Sequence, residues 1–551
     1  MTFAVPRPQT TGGPAFRPHD GRPAQGLREL FAPPDDLLLR GGDPRIALDP
    51  ACGLNAYGCG PSPSPDLLSF ASSTASPISE RAYARASIAR DELMQSSIAV
   101  GFEEAFDARI EAMRETLRAH LGLAAADADI VFSPSGTDSQ LHALFVARAL
   151  LGERLTTIVV GSDQTGSGTA FTARGHHFSA QTASGLPVQK DAPIAGLSGG
   201  SAALPLLDGA DIAPRADFDG AVLNAVETAV VGGASVLLQI MDSSKFGWRA
   251  PSDACLGEIA RRWPHQVLIA VDACQMRLGR ERLRAYLNRG YLVLITGSKF
   301  FGGPAFSGAL LIPNGLARSL DQAETIMPGL FDYASRSDWP KGWPRLRSRF
   351  ASRQNLGQWL RWEAAIEEIG AYYEVPGAFR AWAVKELSAG LESLIVRSPS
   401  LRPVGSGLAK SATAMSVAGD EEFTVATILP FTIDTGRGPL SATDGRMLYQ
   451  ALTEDFGDTI AGSEPDRQFA ANRCLVGQPV ALERRGEDPI AALRLCVGAR
   501  HVSGMWSADA AVAQRNLLDE LDRAARVIAK IEWLLGRSSK AEITGRADAR
   551  R

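Results

Sequence analysis

Six short apolar runs constrain this chain more than any other feature: Ile130 to Phe132, Thr157 to Val160, Val236 to Met241, Val267 to Val271, Leu292 to Thr296 and Ala309 to Ile312. Their apolar residues are consecutive rather than alternate, which predicts strands buried on both faces, as in a parallel sheet. Helix-length stretches separate them. Strand–helix alternation over about residues 100–315 predicts a doubly wound α/β domain, whose ligands sit at the carboxyl ends of the strands. Just upstream, Phe106, Ile110, Met113, Leu117 and Leu121 recur at helical spacing and predict an amphipathic helix.

The flanking segments read differently. Residues 1–65 are rich in Pro and Gly with no sustained period, and are expected to form an irregular N-terminal arm or a loop-built wall. Residues 185–220 read as an excursion between strands. The stretch from Glu363 to Leu394 is helical in pattern, with a break at Val375-Pro376-Gly377. Beyond it Phe423 to Ile433 and Ala492 to Val497 alternate like strands, and Ala508 to Leu535 returns to a helical period. The expected division is an arm at 1–65, a large cofactor-binding domain at 66–360, a smaller α+β domain at 361–540 and a disordered tail at 541–551.

Composition narrows the function classes. In 551 residues, 45% hydrophobic and 21% charged, wholesale disorder is excluded. The net charge of −4 gives no reason to expect nucleic acid as a partner. Six cysteines without CxxC spacing predict reduced thiols and a cytoplasmic location rather than a disulfide scaffold, and no structural metal is expected. Neither an apolar signal core nor a membrane-length apolar stretch occurs, so export and membrane spanning are not expected.

Two of the runs end in chemistry. Val271-Asp272-Ala273-Cys274-Gln275 closes one, and Thr296-Gly297-Ser298-Lys299-Phe300-Phe301-Gly302-Gly303 closes the next, with the lysine 27 residues after the aspartate. A carboxylate and a lysine at neighbouring strand exits suit a cofactor with a basic ring nitrogen and an aldehyde. Pyridoxal phosphate fits: a carboxylate would keep its pyridine nitrogen protonated, and a lysine would form the Schiff base. Ser133-Pro134-Ser135-Gly136-Thr137-Asp138-Ser139 follows another run and opens a helix, where free backbone N–H groups and the helix dipole favour a phosphate. Taken alone that turn also reads as an ordinary helix cap.

In this order, SGT, VDACQ and TGSKFFGGPAFSGALLI, the chain resembles the fold-type I pyridoxal-phosphate enzymes, and among them the class V aminotransferase and cysteine desulfurase superfamily, over roughly residues 70–510. The resemblance implies a seven-stranded, mostly parallel sheet, a small domain built mainly from the C-terminal part, and a homodimer with active sites at the interface. It makes Lys299 the Schiff-base lysine, Asp272 the pyridinium partner, and Gln275 the partner of the cofactor's phenolic oxygen. Gly136 and Thr137 would bind phosphate, with Thr296 or Ser298 adding side-chain donors. Arg494, in Ala492-Leu493-Arg494-Leu495-Cys496, would take the substrate's α-carboxylate, and Arg353 would reach the neighbouring subunit's site.

Two departures bear on the reaction. Where the family stacks a histidine or aromatic on the cofactor ring, Gln164 is the nearest equivalent, and His176 and His177 follow at a distance. Cys474 lies loosely where desulfurases carry a persulfide cysteine, yet its neighbours are strand-like. Met241 to Arg249 follows a strand exit and is expected to line the pocket. The expected function is a pyridoxal-phosphate enzyme acting on an amino acid, foremost an aminotransferase. The alternatives are a cysteine desulfurase or other C–S or β lyase and, from another class, a non-catalytic cofactor-binding regulator.

Overall fold

The computed structural model describes residues 23–208, 213–405, 419–484 and 487–537; the first part of the expected arm, four residues of the 185–220 excursion and the 541–551 tail lie outside them. Fourteen strands are described. β1 (Leu68–Phe70), β2 (Ala128–Ser133), β3 (Leu155–Val160) and β4 (Gly200–Leu204) are followed by a two-residue ribbon, β5 (Leu207–Asp208) with β6 (Ala213–Pro214). β7 (Ser235–Met241), β8 (Val267–Asp272), β9 (Leu292–Thr296) and β10 (Gly308–Pro313) complete the first half. β11 (Leu401–Pro403), β12 (Ile428–Ile433), β13 (Cys474–Arg484) and β14 (Glu487–Cys496) form the second.

Seven strands make the large sheet, in the order β2-β10-β9-β8-β7-β3-β4. Every residue of β9 and β10 is buried, because helices cover both faces, and that is why these runs are apolar without alternation. All six expected strands are present, and the expected mostly parallel seven-stranded sheet is observed.

One expectation is corrected. β10 is antiparallel to both its neighbours, β9 and β2. Residues 297–307 contain no helix, and a parallel return needs a longer crossover, so the chain turns back beside β9 instead. The seventh strand, β4, lies inside the stretch expected to be an excursion. It is a largely exposed edge strand, Gly-Ser-Ala-Ala-Leu, with no apolar run to announce it.

The second sheet runs β1-β13-β14-β12-β11. β1 pairs in parallel with β13, Leu68 opposite Cys474 and Phe70 opposite Val476. Residues 68–70, placed by sequence in the large domain, therefore complete the small one's sheet. The strand expected over Phe423–Ile433 begins only at Ile428; Glu421–Phe423 is a 3-10 turn. Residues 23–65 are less irregular than expected, since they contain short helices at Pro23–Leu30 and Pro34–Leu38.

Helix Leu356–Glu374 starts ahead of the expected boundary at 361 and packs on the helices Glu80–Val100 and Phe102–His120 of the first body. After Val375-Pro376, helix Gly377–Arg397 packs on Ala510–Arg537 of the second. The chain thus crosses between bodies at the break that Pro376 imposes, its fixed φ and missing N–H preventing one continuous helix. Among the described residues, no helix is long and apolar enough to cross a membrane.

Arg361 holds the N-terminal segment down. Its guanidinium, 1% exposed, donates to the carbonyls of Phe306 (2.8 Å), Leu38 (2.9 Å), Arg40 (2.6 Å) and Gly41 (2.9 Å). Burial pulls its pKa down to about 9, with Asp138 and Asp43 opposing. Arg361→Met would leave four carbonyls short of a charged donor, and is expected to lower stability by about 3 kcal/mol. The check is the urea midpoint at unchanged slope, together with faster amide exchange over residues 34–46. A loss below about 1 kcal/mol would mean that other contacts hold the segment.

Candidate active site

Parallel strands end on one edge, so β2, β3, β7, β8 and β9 deliver their exit loops to a common place. Met241 at the end of β7 lies opposite Asp272 at the end of β8, and Asp272 lies opposite Leu294 of β9. The lysine turn follows β9. Gly297 N–H donates to the Ser307 carbonyl (2.9 Å), Gly303 N–H to Gly297 (3.0 Å), and Gly302 N–H to Lys299 (2.9 Å). The Phe300 carbonyl accepts from Ala499 N–H at 2.7 Å, which stitches the lysine turn to the second body.

Lys299 and Asp272 converge as the sequence predicts. Both are half-buried, and both act electrostatically on the Cys274 thiol, which burial pushes well above its ordinary pKa. The Asp272 carboxylate accepts from Cys274 N–H (3.1 Å) and borders a small void lined by Gln140, Thr165, Thr169 and Gln239.

The turn after β2 sits directly against these exits. A Cβ at Gly136 would stand 2.7 Å from Cys274 Sγ and 3.3 Å from Thr296 Cγ2, and one at Gly168 would stand 2.5 Å from Thr137 Cγ2. Only glycine permits that closeness. Ser135 caps helix Gly136–Leu151, accepting from Asp138 N–H (3.2 Å) and donating to Asp138 Oδ2 (2.5 Å). The N–H groups of Gly136 and Thr137 have no acceptor among the described residues, and they are the helix-terminal donors that an anion takes up.

Asp138 itself is a feature that sequence reasoning passed over. It is 2% exposed, one carboxylate oxygen is unpartnered, and burial raises its pKa to about 7. Asp43 and Arg45, joined by an ion pair in the N-terminal segment, also act on it. No periodicity marks Arg45, because it lies in a Pro/Gly-rich stretch.

Other expected residues divide. Gln275 donates to the Ser73 carbonyl (3.0 Å) and keeps a buried, unpartnered Oε1; Gln164 is buried with its Oε1 likewise unpartnered, and so is the Ser73 hydroxyl. Ser298 is buried at the lysine turn. Thr296 is a correction: its hydroxyl donates inward to the Cys274 carbonyl (2.7 Å), so its proton is not available to a phosphate. Arg353 Nη2 donates to the carbonyls of Phe331 and Ala334 (2.7 Å) of its own chain. His176 Nδ1 pairs with Asp191 (2.9 Å) and His177 Nδ1 with the Tyr333 hydroxyl (2.6 Å).

Arg494 arrives from the second sheet. It lies on β14 between Gly477 of β13 and Pro430 of β12, and is 3% exposed. It donates to the carbonyls of Lys245 (3.2 Å) and Gln478 (2.5 Å) and to the Thr74 hydroxyl (3.2 Å), while Nε is unpartnered. Burial lowers its pKa. Arg277 bridges the same junction, donating to Val497 (2.7 Å), Thr427 (3.2 Å) and Ser72 Oγ (2.9 Å). Between the bodies runs a cleft that includes Arg249, Arg277 and Arg282, but the Asp242 and Asp253 carboxylates already engage two of these.

No known family model matches the chain, and no curated protein matches it. Among solved structures the chain is similar to a NifS-like protein, at 14% identity and a TM-score of 0.46, over 82% of this chain and 98% of the other. It is similar to the cysteine desulfurase CsdA of Escherichia coli at 14% identity and 0.44, over 83% and 94%. A NifS-like protein from Rickettsia africae gives 12% identity and 0.47, over 85% and 99%. The strand order and the site geometry, rather than these distant likenesses, carry the reading that follows.

Proposed function

We propose that the chain is a pyridoxal-phosphate-dependent enzyme acting on an amino acid, and that its reaction is amino-group transfer. The supporting observation is the convergence, at the exits of β2, β8 and β9, of a helix terminus with two free N–H groups, a carboxylate and a lysine, opposite a buried guanidinium from the second sheet. The residues fit the group. Gln275, Gln164 and Ser73 each keep a buried polar atom without a partner, as a polar ligand requires, and Gly136 keeps the phosphate cup pressed against the sheet.

When bound, the cofactor supplies an aldehyde that joins covalently to amines and a ring that draws electrons from bonds at the substrate's α-carbon. Lys299 would be the chain's own amine for that attachment and would carry the proton to and from the substrate's α-carbon. Asp272 holds a proton on the ring nitrogen. Gly136 and Thr137 hold the phosphate through their N–H groups, and Arg494 orients the substrate's α-carboxylate. One amino acid gives up its amino group and becomes its keto acid, and a second keto acid takes up that group and becomes an amino acid, so the two half-reactions balance.

Desulfuration of cysteine, the activity for which CsdA is named, needs an accessible thiolate. Cys474 is fully buried at the start of β13, and burial raises its thiol to about 12. Of the six cysteines only Cys52 is exposed, on the N-terminal segment. Aminotransfer, in contrast, asks for no group beyond those assembled around Lys299.

Three outcomes test this reading. Borohydride reduction of the cofactor-loaded protein, followed by peptide mapping, should label Lys299; a label on Lys245 or any other lysine would overturn the assignment. Asp272→Asn should retain cofactor but lower kcat by about 100-fold or more, since an amide cannot supply the countercharge. Near-wild-type turnover in the loaded variant would contradict that role. At pH 8 iodoacetamide should modify Cys52 while Cys474 reacts only after unfolding. Alanine production from cysteine, abolished by Cys474→Ala, would establish the desulfurase instead, and no turnover of any amino acid would leave a cofactor-binding regulator.

A further inference from the structure

The loop that leaves β7 carries a lysine with no assigned role. Lys245 sits in a tight turn whose Ser244 hydroxyl accepts from Phe246 N–H and Trp248 N–H, both at 3.1 Å, while Ser244 N–H donates to the Trp248 carbonyl (2.8 Å). Phe246 and Trp248, each 1% exposed, anchor the turn on either side, so Lys245 projects from a rigid base. Its carbonyl accepts the 3.2 Å hydrogen bond from Arg494, which fixes the two cationic residues side by side.

The charges around Lys245 are unbalanced. Arg494 and Lys299 both lie within its electrostatic reach, and the opposing carboxylate is Asp163, whose influence is the smaller. Both Asp163 oxygens are already engaged by backbone, by Leu206 N–H at 2.7 Å and Leu207 N–H at 3.0 Å. Among the described residues no carboxylate forms an ion pair with Lys245. Burial and the two neighbouring cations pull its pKa down to about 8, as expected for an ammonium lacking a counterion.

A substrate with a single carboxylate satisfies Arg494 alone. Its uncharged side chain would then cover Lys245 and leave an ammonium desolvated without a partner, which disfavours binding. A second carboxylate on the side chain removes that mismatch. We propose that Lys245 is a specificity-determining residue that receives the side-chain carboxylate of a dicarboxylic amino acid of the aspartate or glutamate class, with Arg494 on the α-carboxylate. The proposal rests on the reading of Arg494 and Lys299 given above.

Binding of unreactive acids tests it without turnover. Calorimetric titration of the cofactor-loaded protein with succinate, glutarate and butyrate should show at least one dicarboxylate binding about 30-fold more tightly than the monocarboxylate. Lys245→Met should reduce that preference to within about 3-fold, and Lys245→Arg should restore most of it. Equal affinities in the parent protein, or a preference that survives Lys245→Met, would overturn the proposal. The two readings fail separately. Absence of a borohydride label at Lys299 defeats the enzymatic reading whatever the acids do, whereas a labelled Lys299 with no dicarboxylate preference defeats only the role of Lys245.

Discussion

Strand β10 is hydrogen-bonded on both sides, to β9 through Gly308–Leu311 and to β2 through Gly308–Pro313, and its first residue lies opposite both Thr296 and Ser133. The two turns that matter most to the candidate site grow out of those two residues. One strand, read backwards, therefore sets the spacing between the anion cup and the lysine. A covalently attached cofactor needs both ends held at once, and a fully buried antiparallel ladder is stiff enough to hold them. Gly136 pressed on Cys274 and Thr296 is the local consequence: the cup has no room to drift from the sheet.

Buried guanidinium groups tie the second body to this edge. Arg277 reaches Thr427, Val497 and Ser72, and Arg494 reaches Lys245, Thr74 and Gln478; within the first body Arg361 likewise clamps residues 38–41 to Phe306. Each spreads one charge over several carbonyl or hydroxyl acceptors, which compensates a desolvated cation without bringing in a carboxylate. At this junction burial lowers the pKa values of both Arg277 and Arg494.

Carboxylates enter the site sparingly and are each held for a purpose that geometry makes visible. Asp272 is fixed by Cys274 N–H at a strand exit, and Asp163 is spent on two backbone donors. Asp138, hidden beneath the helix terminus, is raised to about 7, so that near neutrality much of it carries no charge to repel an anion in the cup. The thiols follow the same economy of exposure. Cys274, within the electrostatic reach of Lys299, is a buried thiol that burial holds in its unreactive form, and Cys474 is likewise buried in the second sheet.

Much of this was legible in the amino-acid order. Consecutive apolar residues mark strands covered on both faces, so six of the seven strands of the large sheet, and the exits bearing Asp272 and Lys299, follow from pattern alone. The helix break at Val375-Pro376-Gly377 follows from the covalent geometry of Pro376. What pattern cannot encode is partner and direction. Hydrophobic periodicity reports burial but is blind to which way β10 runs, to β1 crossing into the second sheet, and to an exposed edge strand such as β4. The same limit governs side chains. Nothing local turns the Thr296 hydroxyl toward Cys274, folds Arg353 back onto Ala334, or sets Lys245 beside Arg494. Those pairings join residues 19, 22 and 249 positions apart, and the longest exists only once two separately patterned bodies are packed edge to edge.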